Sequence, residues 1–197
     1  MKHIKPFKFS SINSPFSDNW PPKPLHIEHL SEIEAQRLYG HIEYVSYHNE
    51  DDITIINDFE KENIITIEIP QLARIKKPHN TNQRCHKLAA PSILGVWQEW
   101  EDTELLQHIL TFNGLYWPRF IRGSRTSLSN HAYGVAFDIN RTYNMLGVPP
   151  ARQGELGSVR DLVPIANKWG FYWGGHFEER KDGMHFELAN IDSIYYA

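Results

Sequence analysis

"SLSNHAYGVAFDIN" (residues 127–140) sends Asp138 into a run as apolar as Val135-Ala136-Phe137, with Ile139 on its far side. An ionised carboxylate among apolar neighbours is costly unless it is paired or binds a metal, so Asp138 demands a partner. Gly134 lets the chain turn into a short strand. In that strand Ala136 and Asp138 share one face, and Val135, Phe137 and Ile139 share the other. The small Ala136 leaves room beside the carboxylate. His131, just ahead of the turn, can reach the same place, and so can His185 in "DGMHFELA" (182–189). There Met184, Phe186 and Leu188 alternate with His185 and Glu187, the pattern of a half-buried strand. Two imidazoles and one carboxylate make an open zinc site with the fourth position left to water.

Composition does not force that reading, because the chain has eleven histidines and an arbitrary histidine is more often packed or exposed than a ligand. It does bound the alternatives. A chain of 197 residues, 41% hydrophobic, is long enough for one substantial core. A formal charge of -4 without long runs of like charge gives no reason to expect nucleic acid or an anionic membrane as partner; Lys2, Lys5 and Lys8 make only a weakly basic tip. The single cysteine, Cys85, cannot form an internal disulfide. No apolar run of signal-peptide or membrane-spanning length is seen, which leads us to expect cytoplasmic synthesis without an export signal.

Upstream of the opening stretch, residues 1 to about 25 read as an extended arm, since Pro21, Pro22 and Pro24 forbid a regular helix. "LSEIEAQRLYG" predicts a short helix capped by Ser31, with Glu34 as capping-box partner and Gly40 as stop. The β-branched runs "IEYVSY", "ITIIN" and "IITIEIP" between residues 42 and 70 predict a three-stranded antiparallel piece, read as a brace, followed by a polar loop at 76–84. Leu88, Ile93, Val96, Trp97 and Trp100 recur at helical spacing, disturbed near Pro91, and Leu105, Leu106, Ile109 and Leu110 suggest a second helix before Gly114. In "LGSVRDLVPIANKWG" (156–170), Ser158 and Asp161 stand in capping-box-like positions, and Pro164 bends or delays the helix that stops at Gly170. The expected fold class is α+β, a small antiparallel sheet with helices packed on it. Residues 1–80 would be arm and β-rich elaboration and residues 81–197 the catalytic region, in one compact unit.

The sequence resembles the VanY-type zinc D-alanyl-D-alanine carboxypeptidases, whose fold is shared with the Hedgehog signalling domain. The family pattern Ser-x-His-x-x-Gly-x-Ala-x-Asp is matched by Ser129, His131, Gly134, Ala136 and Asp138. An acidic residue three positions before a later histidine is matched by Asp182 and His185, after the "WGG" of Trp173, Gly174 and Gly175. The resemblance is clear over residues 115–195. It implies one zinc ion per chain held by His131, Asp138 and His185, with Asp182 as catalytic acid/base. It also implies an oxyanion-stabilising arginine upstream, Arg119 or Arg122, with Arg125 the third in that stretch.

Ser129 and His176 are candidates to touch substrate, and Glu187 could orient a ligand or form a plain salt bridge. Tyr133, Trp117 and Trp173 are either groove walls or core. Members of the family remove D-Ala from peptidoglycan stem peptides or cut between L-Ala and D-Glu, and aspartate rather than glutamate at position 182 tilts this chain toward the endopeptidase branch, which is endolysin-like. The partner expected is thus the stem peptide, met by a monomer at the cell wall after phage- or prophage-type release. Two other readings compete: a zinc-stabilised, non-catalytic cell-wall or protein binding module, in which Asp182 would have no task, and a cysteine hydrolase built on Cys85, which no local motif supports.

Overall fold

The computed structural model describes residues 19–47 and 51–191. Lys2, Lys5 and Lys8, and the first part of the expected arm, lie outside the described residues. The fold is α+β: helices packed around small antiparallel sheets. The sheet that positions the site has three strands, β5 (Ala136–Asp138), β6 (Phe171–Trp173) and β7 (His185–Leu188), with β7 in the middle. We number the other elements in chain order: α1 (Glu32–Tyr39), β1 (Tyr44–Ser46), β2 (Ile53–Ile55), α2 (Phe59–Asn63), β3 (Ile64–Glu68), β4 (Asn82–His86), α3 (Ala90–Asp102) and α4 (Val163–Lys168).

Strand alternation divides this sheet into two chemically distinct faces. Phe137 is paired with Phe186, Phe186 with Trp173, and Leu188 with Phe171, so five large apolar side chains point one way. Phe137 stacks on Phe186 with ring centroids 5.6 Å apart, and Trp97 and Trp100 of α3 close over Phe137 from above. On the opposite face Asp138 pairs with His185, Ala136 with Glu187 and Tyr172 with Glu187. β7 is buried on both faces rather than half-buried, because its polar face is covered by other parts of the chain.

The capping box of α1 forms as the sequence predicts: Ser31 accepts from the Glu34 amide, and Glu34 reaches back to the Ser31 backbone. Such a cap contributes about 1 kcal/mol. The helix is tied to the sheet by the buried Tyr39 hydroxyl, which donates to the Leu188 carbonyl at 2.6 Å.

Several local expectations are corrected. The runs between 42 and 70 do not form one three-stranded piece. β1 pairs with β2, while β3 pairs with β4, a strand drawn from the stretch expected to be a polar loop. Asn82, Gln83 and Arg84 hide the strand character of β4 because its polar residues face outward while Cys85 and His86 are buried. The polar cluster after β2 contains the short helix α2.

The segment after α3 is not a second α-helix. Glu104 adopts a left-handed conformation, a single 3-10 turn covers Leu105–His108, and the chain then extends. Asn140 supplies what that extended piece lacks: its side-chain oxygen accepts from the Leu110 and Thr111 amides at 2.7 and 3.1 Å. Pro91 sits in the first turn of α3 and opens the helix rather than disturbing it, since the missing amide has no partner to lose there.

Ser158 and Asp161 do not form a capping box. A 3-10 turn at Arg160–Leu162 leads into α4, whose start is delayed to Val163 with Pro164 in the first turn, and Gly170 follows at φ 85. Among the described residues no helix is long and apolar enough to cross a membrane.

Candidate active site

The loop before β5 is bent so that two imidazoles and a carboxylate converge. Gly134 has φ 70, and a Cβ there would lie 2.8 Å from the His86 amide nitrogen, so only glycine lets this loop pack against β4. The turn is closed by Ser129, whose carbonyl accepts from the Ala132 amide at 2.8 Å and whose hydroxyl accepts from the His131 amide at 3.4 Å.

His131 is thereby brought over Asp138, its Nε2 3.2 Å from Asp138 Oδ1. His185, directly across from Asp138 in the sheet, places Nδ1 3.0 Å from the same oxygen. The three side chains are buried, and one ligand atom from each lies within 4.8 Å of the others. This group could hold a metal ion.

The outward nitrogens decide what the inward ones offer. His131 Nδ1 lies 2.8 Å from the Leu115 carbonyl, which only accepts, so this nitrogen carries the proton. His185 Nε2 lies 3.0 Å from Glu187 Oε2 and likewise donates. In the neutral imidazoles both lone pairs therefore face Asp138, with no hydrogen between them and the carboxylate. That arrangement suits a cation in the middle. Burial alone would lower the His185 pKa, but hydrogen bonds to Asp138 and Glu187 carry it up to about 10. Burial would raise Asp138, and the two imidazoles reverse this and hold it well below the carboxylate range.

Asp182 stands beside this group on the turn leading into β7. Its backbone is fixed by Gly174, whose carbonyl accepts from the Asp182 amide at 2.9 Å, while the Asp182 carbonyl accepts from the His185 amide at 3.1 Å. Its side-chain Oδ1 is buried and, among the described residues, has no hydrogen-bond partner. Burial pushes the Asp182 pKa up, opposed by the charges of His185, His131 and Arg119 and reinforced by Asp138. The result is a carboxyl group that holds a proton more readily than a surface aspartate.

Of these residues, Asp182 and His185 line a cavity of about 710 Å³. Both arginine candidates line it, but they are placed differently. Arg119 is half-buried and close enough to Asp138 and Asp182 to feel both charges; burial lowers its pKa while the two carboxylates raise it. Its segment is held on one side by an isolated bridge to Asp52, beside β2, and on the other by the Ser129 amide, which donates to the Arg119 carbonyl at 3.0 Å. The β1–β2 pair thus braces the arginine. Arg122 is exposed, and Arg125 pairs with Asp51 at 3.2 Å, away from the cavity lining.

Residues 122–188 match the family model described as D-alanyl-D-alanine carboxypeptidase. The match takes in Ser129, His131, Gly134, Ala136, Asp138, Asp182 and His185 and leaves Arg119 and everything before it outside. It supports a carboxypeptidase-like peptidase and not the finer VanY subtype. No curated protein and no solved structure gives a significant match to the chain.

Of the remaining candidates, Ser129 and His176 line the cavity, but His176 is committed: its Nε2 bonds the Pro21 carbonyl at 2.9 Å. Tyr133 and Trp173 are core, and the exposed Trp117 donates to Asp52. Cys85 is buried, its pKa pushed up to about 12 by desolvation, and His86 beside it is occupied by the Tyr39 carbonyl, which leaves no nucleophile pair there.

The aromatic groove wall comes from Tyr172 and Phe177, stacked at 5.9 Å, which the sequence reading did not single out. It also missed Asn130 and His29, both of which bond Glu187. The one available signal was Glu187 itself, a carboxylate in the apolar run "MHFEL" that had to find donors.

Proposed function

We propose that the chain is a zinc peptidase that hydrolyses the peptide part of peptidoglycan, with His131, Asp138 and His185 holding one zinc ion. The observation that carries this reading is the buried pair of imidazoles turned toward Asp138 by acceptors on their far sides, next to a carboxyl group whose enclosed Oδ1 has no hydrogen-bond partner among the described residues. Two histidines and a carboxylate form a donor set suited to zinc. Bound there, zinc would lower the pKa of its water to about 7 and polarise the scissile carbonyl.

The protein's own residues supply the rest. Asp182, with Oδ1 free and its pKa raised, takes a proton from the attacking water and returns it to the leaving amine. Arg119, fixed between Asp52 and Ser129, offers a permanent positive charge to the oxyanion that develops during attack. Arg122, at the exposed rim, is better placed to meet the charged ends of a substrate. Ser129 and the Tyr172–Phe177 wall line the groove that a stem peptide would enter.

The aspartate at position 182, in place of the glutamate found in many carboxypeptidase members, favours cleavage between L-Ala and D-Glu over removal of a terminal D-Ala. Mass spectrometry of defined stem peptides incubated with zinc-loaded protein tests this, with Asp182→Ala as control. Release of L-Ala from the stem supports the endopeptidase, and loss of one D-Ala supports the carboxypeptidase. Zinc uptake without any cleavage would refute catalysis and leave the non-catalytic binding module.

A further inference from the structure

Glu187 lies two residues beyond His185 on the same face of β7, and its side chain is only 3% exposed. Its Oε2 accepts from His185 Nε2 at 3.0 Å and from Asn130 Nδ2 at 2.8 Å. Its other oxygen, Oε1, accepts from His29 Nδ1. The three donors come from distant parts of the chain, and only His29 lies outside the segment that matches the peptidase family.

His29 stands on the irregular arm that precedes α1. The arm is docked along its length, and two of its contacts frame His29. At one, Trp20 packs against Trp173 with ring centroids 5.3 Å apart, Arg160 and Lys181 sit over the Trp20 ring at 4.6 and 5.0 Å, and the Asn19 carbonyl accepts from Arg160. At the other, the His29 ring meets Phe177 edge-on at 5.0 Å and reaches Glu187, with its own side chain still 49% exposed at the rim of the cavity.

The terminal torsion of a glutamate is broad, so a carboxylate held through one oxygen can turn about it. With His29 on Oε1 and two donors on Oε2, both ends of the Glu187 carboxylate are fixed. That in turn fixes which nitrogen of His185 carries the proton and where its Nδ1 lone pair points. Taking His29 away leaves a buried carboxylate oxygen without its donor, and the group is then free to turn in search of another.

We propose that His29 is a positioning residue for the metal centre: by donating to Glu187 Oε1 it locks the carboxylate that aims His185 Nδ1 at the site shared with His131 and Asp138. The proposal rests on the zinc reading above and gives the arm a function in it. Arm docking and metal binding become coupled, so each strengthens the other.

The test is zinc affinity of the full chain, measured by competition with a chromophoric chelator, for wild type, His29→Ala and His29→Asn. Asparagine places an amide nitrogen where His29 has Nδ1, so it keeps the donor and discards the ring. We expect His29→Ala to bind zinc about tenfold more weakly, the lower end of the loss when an outer partner of a ligand is removed, because His29 acts one bond further out, through Glu187. His29→Asn should stay within about threefold of wild type. Metal-free His29→Asn should melt near wild type because it keeps the donor to the buried Glu187, whereas metal-free His29→Ala should melt lower. Equal zinc affinity in wild type and His29→Ala would overturn the proposal. So would a His29→Asn as weak as His29→Ala, which would assign the effect to the ring contact with Phe177. A wild type that takes up no zinc would instead sink the zinc reading itself, and the role of His29 with it.

Discussion

Replacing Gly174 by alanine tests the reasoning about Asp182 without touching a charged group. Gly174 is buried in the turn after β6, and a Cβ built on it would lie 2.5 Å from the Asp182 carbonyl oxygen, 3.0 Å from the Phe177 ring and 3.2 Å from Asp182 Cβ. Real Cβ contacts begin at 3.0 Å and are comfortable from 3.4 Å. The Asp182 backbone must therefore retreat by roughly 0.5 to 0.9 Å, on the scale at which misplacing a catalytic group by about 1 Å costs about 100-fold in rate. We expect kcat on a stem peptide to fall roughly 10- to 100-fold and stability to fall by about 1–3 kcal/mol from overpacking. The Asp182 carbonyl also accepts from the His185 amide, so zinc content must be measured alongside kcat to separate the two effects. A folded, zinc-loaded Gly174→Ala with wild-type kcat would refute the claim that the close approach of Gly174 sets the position of Asp182.

Asp182→Asn should keep zinc, measured by metal analysis, and lose about 100- to 10,000-fold in kcat, the usual contribution of a proton-transfer group. Tyr39→Phe removes the donor to the Leu188 carbonyl and should cost about 1–2 kcal/mol in urea unfolding. Cys85, with its pKa near 12, should react with a thiol reagent only on unfolding, and fast labelling of the native protein would contradict its burial. Glu99 has its pKa lowered first by the hydrogen bond from Lys168, so their pairing stabilises above the unfolded glutamate value and is lost as pH falls through the depressed one. Lys168→Met should therefore cost under about 1 kcal/mol at neutral pH, since the pair is partly exposed, and the difference from wild type should shrink in melts taken toward pH 3.

The elements legible in the sequence are those whose signals are local. The Ser31–Glu34 box of α1, the apolar stripe of α3 and the alternation in β5 and β7 each lie within a few residues and survive in the structure. What escaped the sequence depends on distant partners. β4 reads as a loop because its outward residues are polar, and it becomes a strand only beside β3. The stretch after α3 has helical spacing, but Asn140, some thirty residues later, takes the amides a helix would have used. The same division holds at the site: Asp138 and His185 are adjacent because β5 and β7 pair in register, whereas nothing near His29 announces that it will meet Glu187.

Three neighbouring carboxylates show how partners, rather than residue type, assign chemistry. Asp138 lies between two imidazoles, and their charge and hydrogen bonds overcome its burial, so it remains an anion suited to a cation. Glu187 is as deeply buried, and burial would raise its pKa, but hydrogen bonds from His185 and His29 bring it down to about 2; it is fixed as an acceptor and cannot carry protons near neutrality. Asp182 is only half-buried, but its enclosed Oδ1 has no donor among the described residues, and its pKa moves the other way. A carboxyl group left short of donors holds a proton more readily than one so paired, which is what a proton carrier needs. On the proposed mechanism, a donor placed on Asp182 would therefore remove the proton carrier as surely as deleting the side chain, and a donor taken from Glu187 would loosen His185, the proposed ligand behind it.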